Sequence, residues 1–364
     1  MNLIQENSLT EYLALVKPYV SCQLIDAESW LHIQAITRYL PNQITNFFGF
    51  ECRLGIEAAK ADFLLYIGAA EVGQKILAGE STFPDSLLQE PVWSQIRNFV
   101  TCWQNEDSPL HSHVNNIWLE FDVDGKLDQI PIPSCFFGSH SITASTLIPY
   151  PHEWVNQIAI PLLRGYALSS TVEQKLFQCV NALPADVYVF QVGLMLARQS
   201  EMLRICLRGI SPEQIIEYLS QIGWSGSIDN LKILLQELST YTERIDLDLD
   251  VGEGGVAAKI GLECYLPLQP KFEPRWMSFL DYLVKIGLCL PQKQEALLTY
   301  PGYVREKQHR DMMPSHLLKV SQFLGKNYEN VFMRGLHHIK VVYQSEQAIE
   351  AKAYCWVTHS LLSK

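Results

Sequence analysis

Glu350-Ala351-Lys352-Ala353-Tyr354-Cys355-Trp356-Val357-Thr358 alternates without a break between two kinds of side chain. Successive residues of a strand point to opposite faces, so Glu350, Lys352, Tyr354, Trp356 and Thr358 share one side. Ala351, Ala353, Cys355 and Val357 take the other. The same split occurs over Arg244 to Val251, where Asp246, Asp248 and Asp250 oppose Ile245, Leu247, Leu249 and Val251. A sheet normally packs one face and leaves the other in water. Here the polar faces mix Arg, Lys, Tyr, Glu and Asp in a way that reads as the lining of a site.

Working outward, five strand pairs recur. They are Phe47 to Glu57 with Asp62 to Gly68; Ile117 to Val123 with Ile130 to Phe137, turning at Asp124-Gly125; Val187 to Arg198 with Met202 to Arg208; Ile245 to Val251 with Lys259 to Leu266; and Phe332 to Tyr343 with Ile349 to Thr358. Asp-Gly is a strong hairpin turn. Pro131 and Pro133 cannot donate to a ladder, which predicts an irregular or edge strand there. Between the pairs, helices are predicted over about 85–103, 152–183, 211–222, 228–238, 274–298 and 315–324. The firmest start is Ser211-Pro212-Glu213-Gln214, a capping box with proline at the first helical position. Residues 1–45 read as a helical segment packed on the outside, and 46–364 as one domain. Antiparallel pairs joined by helices give an open α+β sheet or a closed barrel; ten strands favour closure, which removes exposed edges.

The chain has 364 residues, 48% apolar and 18% charged, with a formal net charge of −11. That balance suits a folded soluble protein and argues against nucleic acid as a partner, which would call for basic surface. No run approaches the roughly 20 apolar residues of a membrane helix, and no secretory signal opens the sequence. Nine cysteines with no C-x-x-C pair read as reduced thiols, so a cytoplasmic location is expected. There is no G-x-S-x-G elbow, Walker loop or H-E-x-x-H helix. His111 with His113, and His337 with His338, are close in sequence, but strict alternation sends the last two to opposite faces.

Several strand faces carry basic groups: Arg204 and Arg208; Lys259 with Glu263 and Tyr265; Arg334, His338 and Lys340; Lys352 with Tyr354 and Trp356. Guanidinium forks and ammonium charges suit a diphosphate, and aromatic faces nearby attract a cation. An ordinary solvated sheet face with cross-strand ion pairs has the same composition.

The order of elements and the polar inner face resemble the antiparallel α/β barrel of the aromatic and peptide prenyltransferases, the PT-barrel or ABBA fold, from about Phe47 to the C-terminus. The resemblance implies a ten-stranded antiparallel barrel of five hairpins surrounded by helices. It implies transfer of an isoprenoid from a diphosphate donor to an aromatic or peptide acceptor in the lumen. Arg204, Arg208, Lys259, Lys340 and Lys352 would then hold the diphosphate. Trp118, Tyr265, Tyr354 and Trp356 would shield the cation, and Glu51 or Glu120 would take the released proton. Asp246 and Asp248 offer either a Mg²⁺ site or partners for basic neighbours. Two strands depart from the pattern. The second hairpin returns with Pro131, Pro133, Cys135 and Phe137 in place of Lys and Tyr, and the first with Asp62, Leu64 and Tyr66 in place of Arg. Those departures favour the alternative, a non-catalytic peptide- or metabolite-binding protein on the same scaffold.

Overall fold

The computed structural model describes residues 7–81, 83–123, 129–145, 152–198 and 200–363. Its strands are β1 (Phe47–Arg53), β2 (Ala61–Gly68), β3 (Asn116–Phe121), β4 (Ser134–Thr143), β5 (Tyr188–Leu194), β6 (Leu203–Arg208), β7 (Arg244–Gly252), β8 (Gly255–Tyr265), β9 (Gly302–Arg305), β10 (Tyr328–Gln344) and β11 (Gln347–Ser363). Each pairs antiparallel with its neighbour in the order β11-β1-β2-β3-β4-β5-β6-β7-β8-β10, and β10 pairs back with β11. The sheet closes on itself as a ten-stranded antiparallel barrel, the architecture the PT-barrel resemblance implied. The short β9, unforeseen from sequence, adds to the end of β10 outside the ring.

The apolar strand faces look outward and the helices cover them. Trp30, on the helix Ala27–Thr37, meets Phe50 edge-on with ring centroids 5.5 Å apart. Phe99, on Pro91–Gln104, lies 5.7 Å from Phe137. Within the first 45 residues, Tyr12 also packs on Phe332 at 5.0 Å. Burial of this kind contributes roughly 1.5–3 kcal/mol per large apolar side chain, so the outer shell is where the fold gains its stability. The Ser211 capping box forms as read: the Ser211 hydroxyl accepts from the Gln214 amide, and the Gln214 side chain accepts from the Ser211 amide. Gly165, at φ 86, and Ile286-Gly287 break two of the expected long helices into shorter ones.

Four strand readings are corrected. Cys135 and Phe137 face the helices, and it is Ser134, Phe136 and Gly138 of β4 that oppose the inward residues of β3, with Trp118 beside Phe136 and Glu120 beside Ser134. The prolines before the strand hid its parity. A bulge in β10 between Leu336 and His338 adds one residue, so His337 and His338 both line the lumen instead of opposite faces. The same shift moves Arg334 off the inner face; it lies buried, donating to the carbonyls of Tyr19 and Tyr300. Glu57, assigned to a strand, sits exposed in the β1–β2 connection. The Asp124-Gly125 turn lies outside the described residues. No helix among the described residues is long and apolar enough to cross a membrane.

Candidate functional site in the barrel lumen

Inward positions of all ten strands enclose a cavity of about 240 Å³ at one end of the barrel and a smaller one of about 50 Å³ at the other. Leu64, Glu120, Arg204, Asp248 and Lys340 border both, forming a polar belt between two compartments.

The larger compartment is aromatic. Phe47 sits at the centre of its wall, edge-on to Trp118 at 5.7 Å and to Tyr66 at 5.9 Å, and stacked with Trp356 at 6.1 Å. Tyr354 stacks on His338 at 4.1 Å. Gly193 of β5 leaves room for the Phe136 ring, whose nearest atom would lie only 2.2 Å from a Cβ there. We expect Gly193→Ala to cost about 1–3 kcal/mol by overpacking, read by chemical denaturation. Unchanged stability would show that the ring has free space to retreat into.

The belt is a set of ion pairs. Arg204 grips Asp250 with two parallel bonds, Nε to Oδ1 at 2.8 Å and Nη2 to Oδ2 at 2.9 Å. Arg208 and Arg244 converge on Asp246 at 2.9 and 3.0 Å. The ammonium of Lys340 pairs with Asp248 and lies 3.8 Å from Glu263. Lys352 donates to Glu51 at 2.6 Å, and the Tyr354 hydroxyl donates to the other Glu51 oxygen. Tyr265 donates to Glu263 at 2.6 Å. Lys259 stands apart, exposed on the rim of the smaller compartment near Lys352. Apart from Arg334 and Glu57, the charged residues read as inward do face the lumen, but the sequence could not show that the cations are partnered.

These surroundings separate the two candidate proton acceptors. Burial alone would raise the Glu51 carboxyl, but the charges of Lys352 and Lys340 and bonds from Lys352 and Tyr354 hold it well below the usual range. Glu120, on the belt between the compartments, is pushed up to about 8, first by burial and then by the Glu51 charge. At neutral pH one is a carboxylate and the other an acid, the division of labour that acid–base chemistry uses. Lys340 and Lys352 are held above the ordinary lysine range because Asp248 and Glu51 outweigh the burial that would lower them.

Of the proposed metal ligands, Asp246 gives both oxygens to Arg208 and Arg244, and Asp248 gives one to Lys340 and keeps the other buried without a hydrogen-bond partner. Among the described residues no group of three or more His, Cys, Asp and Glu gathers to hold a metal ion. The residues present do not fit Mg²⁺, and no step below runs through it. The histidine pair, set aside on sequence grounds, is the feature that alternation concealed: a bulge is invisible without the register of the neighbouring strands.

No family model matches the sequence, and no curated protein does. Among solved structures, the crystal structure of AnaPT from Neosartorya fischeri is similar over 98% of this chain and 94% of that one, at 15% sequence identity and a TM-score of 0.49; that likeness transfers no residue's role to this chain.

Proposed function

We propose that the lumen is the reaction chamber of a prenyltransferase, passing an isoprenoid from its diphosphate to a nucleophilic acceptor. One observation carries the reading: the rings of Phe47, Trp118, Tyr354 and Trp356 share a compartment whose floor is the belt holding Arg204 and Lys340. An allylic diphosphate asks for both, donors for the leaving oxygens and π-faces for the carbocation. The carbon–oxygen bond breaks with its electron pair on the diphosphate, and an acceptor atom donates a pair to the allylic carbon. The acceptor's proton then passes to a carboxylate. Glu51, kept ionised by Lys352 and Tyr354, lines only the smaller compartment and is a weak base; Glu263, on the wall of the aromatic compartment, is the carboxylate that fits. Glu120, protonated near neutrality, is an acid that can hydrogen-bond the acceptor. The bonds to Asp250 and Asp246 use Nε and Nη2 of Arg204 and Nε of Arg208, so further guanidinium donors remain for a ligand. The acceptor would be a small aromatic compound or a peptide side chain.

A second reading has its own observation. Arg204, Arg208, Lys340 and Lys352 each already face a carboxylate, which favours a barrel that holds a peptide or metabolite without turning it over. Calorimetric titration with dimethylallyl, geranyl and farnesyl diphosphates, each against its alcohol, separates the two. Prenyl transfer predicts saturable diphosphate binding at least about tenfold tighter than the alcohol, weakened about tenfold by Lys352→Gln. Diphosphates that bind no better than alcohols would leave the binding protein.

A further inference from the structure

We infer that His337 and His338 form a two-imidazole relay that moves a proton between the belt carboxylate Glu263 and the open mouth of the aromatic compartment. The β10 bulge sets the two rings edge to face, with Nδ1 of one 2.8 Å from Nδ1 of the other. Two bare nitrogens would repel at that distance, so one Nδ1 donates its proton to the other. At the inner end, Nε2 of His338 is buried with no hydrogen-bond partner and lies 3.6 Å from a Glu263 oxygen. At the outer end, His337 lines the cavity and keeps part of its surface in solvent, while Tyr265 and His338 pack against its ring and strip water from it. Bulges frequently re-aim a side chain beside an active site, and this one creates the contact.

The geometry permits two complementary states. In one, His338 carries its proton on Nδ1 and donates to His337, which carries its own on Nε2 toward water. In the other, His337 donates from Nδ1 and His338 holds a proton on Nε2 toward Glu263. Passing from the first to the second exports one proton: a proton delivered to the Glu263 carboxylate moves on to Nε2 of His338, the Nδ1 proton crosses to His337, and Nε2 of His337 releases one to solvent, so Glu263 ends as the carboxylate it began as. Each ring ends neutral.

The groups around the pair favour shuttling over storage of charge. Arg208 of β6, Arg244 of β7 and Lys340 of β10 are positive, Glu263 of β8 and Glu51 of β1 are negative, and Tyr265 and Tyr354 pack against the rings. Desolvation first, then Arg208 and Arg244 for His337 and His337 and Lys340 for His338, keep both imidazoles below the ordinary histidine range and so uncharged at neutral pH.

The outward direction of flow rests on the prenyl transfer proposed above, which frees one proton per turnover; the shared proton does not. The test is therefore made first without substrate. Long-range ¹⁵N–¹H spectra of histidine-labelled protein, assigned with His337→Gln, should show one of these rings as the Nδ1–H tautomer and the other as Nε2–H. The populations should shift with pH in the natural chain and stay fixed in Glu263→Gln. Two Nε2–H rings, or populations indifferent to Glu263→Gln, would overturn the relay. For a donor and acceptor that turn over, His338→Phe, which keeps the stack on Tyr354, should lower kcat about a hundredfold with KM unchanged. An unaltered kcat and pH profile would overturn it as well. Absence of any turnover removes the prenyl transfer reading and leaves the spectroscopic result decisive for the relay.

Discussion

Lys340→Met should unfold at pH 8 with about 3–5 kcal/mol less stability than the natural chain, because it strands a buried charge. Asp248 is 2% exposed and Lys340 8%, and the Lys340 ammonium is the ion-pair partner of Asp248. Burial and the Glu263 charge already raise Asp248 to about 6 with the lysine in place. Without it, Asp248 escapes the cost of an unpaired charge by taking up a proton. Its folded-state pKa then lies further above its unfolded value, so the variant loses stability as pH rises between them. The deficit is accordingly smaller at pH 5 than at pH 8. Lys340→Met with Asp248→Leu removes both charges and should recover most of the loss, since an apolar pair of similar volume avoids the desolvation of two ions. Urea unfolding of the three proteins at both pH values measures this. A loss below about 1 kcal/mol at pH 8 would mean that lumen water solvates Asp248 well enough to replace its partner.

That experiment bears on what the lumen is for. If the ion pairs were stabilising devices, an apolar belt would serve the fold better. Retaining them costs stability, and the return is a ring of oriented charges under an aromatic compartment. Outside the barrel the same strands follow the opposite rule, with Phe50, Phe63, Phe121 and Phe137 fully buried against the helices.

Alternation along single strands made much of this legible. Arg204, Cys206 and Arg208, or Asp246, Asp248 and Asp250, needed only a period of two to be placed on one face, and the closed barrel turned that face inward, Asp246 being buried beneath Arg208 and opposite Glu263. Where the chain kept strict alternation, as in β11, the reading held residue by residue. It failed where one residue was added or where prolines hid the phase: at His337 in β10 and at Cys135 and Phe137 in β4. Partners were beyond it for a different reason. Glu51 meets Lys352 across 301 residues because β1 pairs with β11 to close the ring, and no local pattern encodes that register.

Glu120→Gln should abolish a fall in stability that the natural chain shows as pH rises. Burial and Glu51 lift the Glu120 carboxyl from its ordinary 4.5 to about 8. Between those values the folded protein keeps a proton that the unfolded chain has lost. Unfolding then releases a proton, and stability declines with pH at up to about 1.4 kcal/mol per unit. Contact with lumen water reduces the total, and about 3 kcal/mol by pH 8 is the expected size. Glutamine matches the protonated acid in shape and charge but does not titrate, so the two proteins should agree near pH 4.5 and diverge above it, the variant being the more stable. Asp62, Asp246 and Asp248, each raised to about 6, add a slope common to both proteins, which leaves the window above pH 6 to Glu120. Glu51 acts with the opposite sign: its depressed carboxyl stabilises the fold above the unfolded value and yields that only as pH falls through the folded one, below this window. Parallel curves from urea unfolding at pH 5, 6.5 and 8 would place Glu120 in ordinary solvent. The same variant divides two roles in turnover. Glutamine still donates a hydrogen bond, so a Glu120 that only orients the acceptor leaves kcat nearly intact, whereas one that transfers its proton loses about 10²–10⁴-fold.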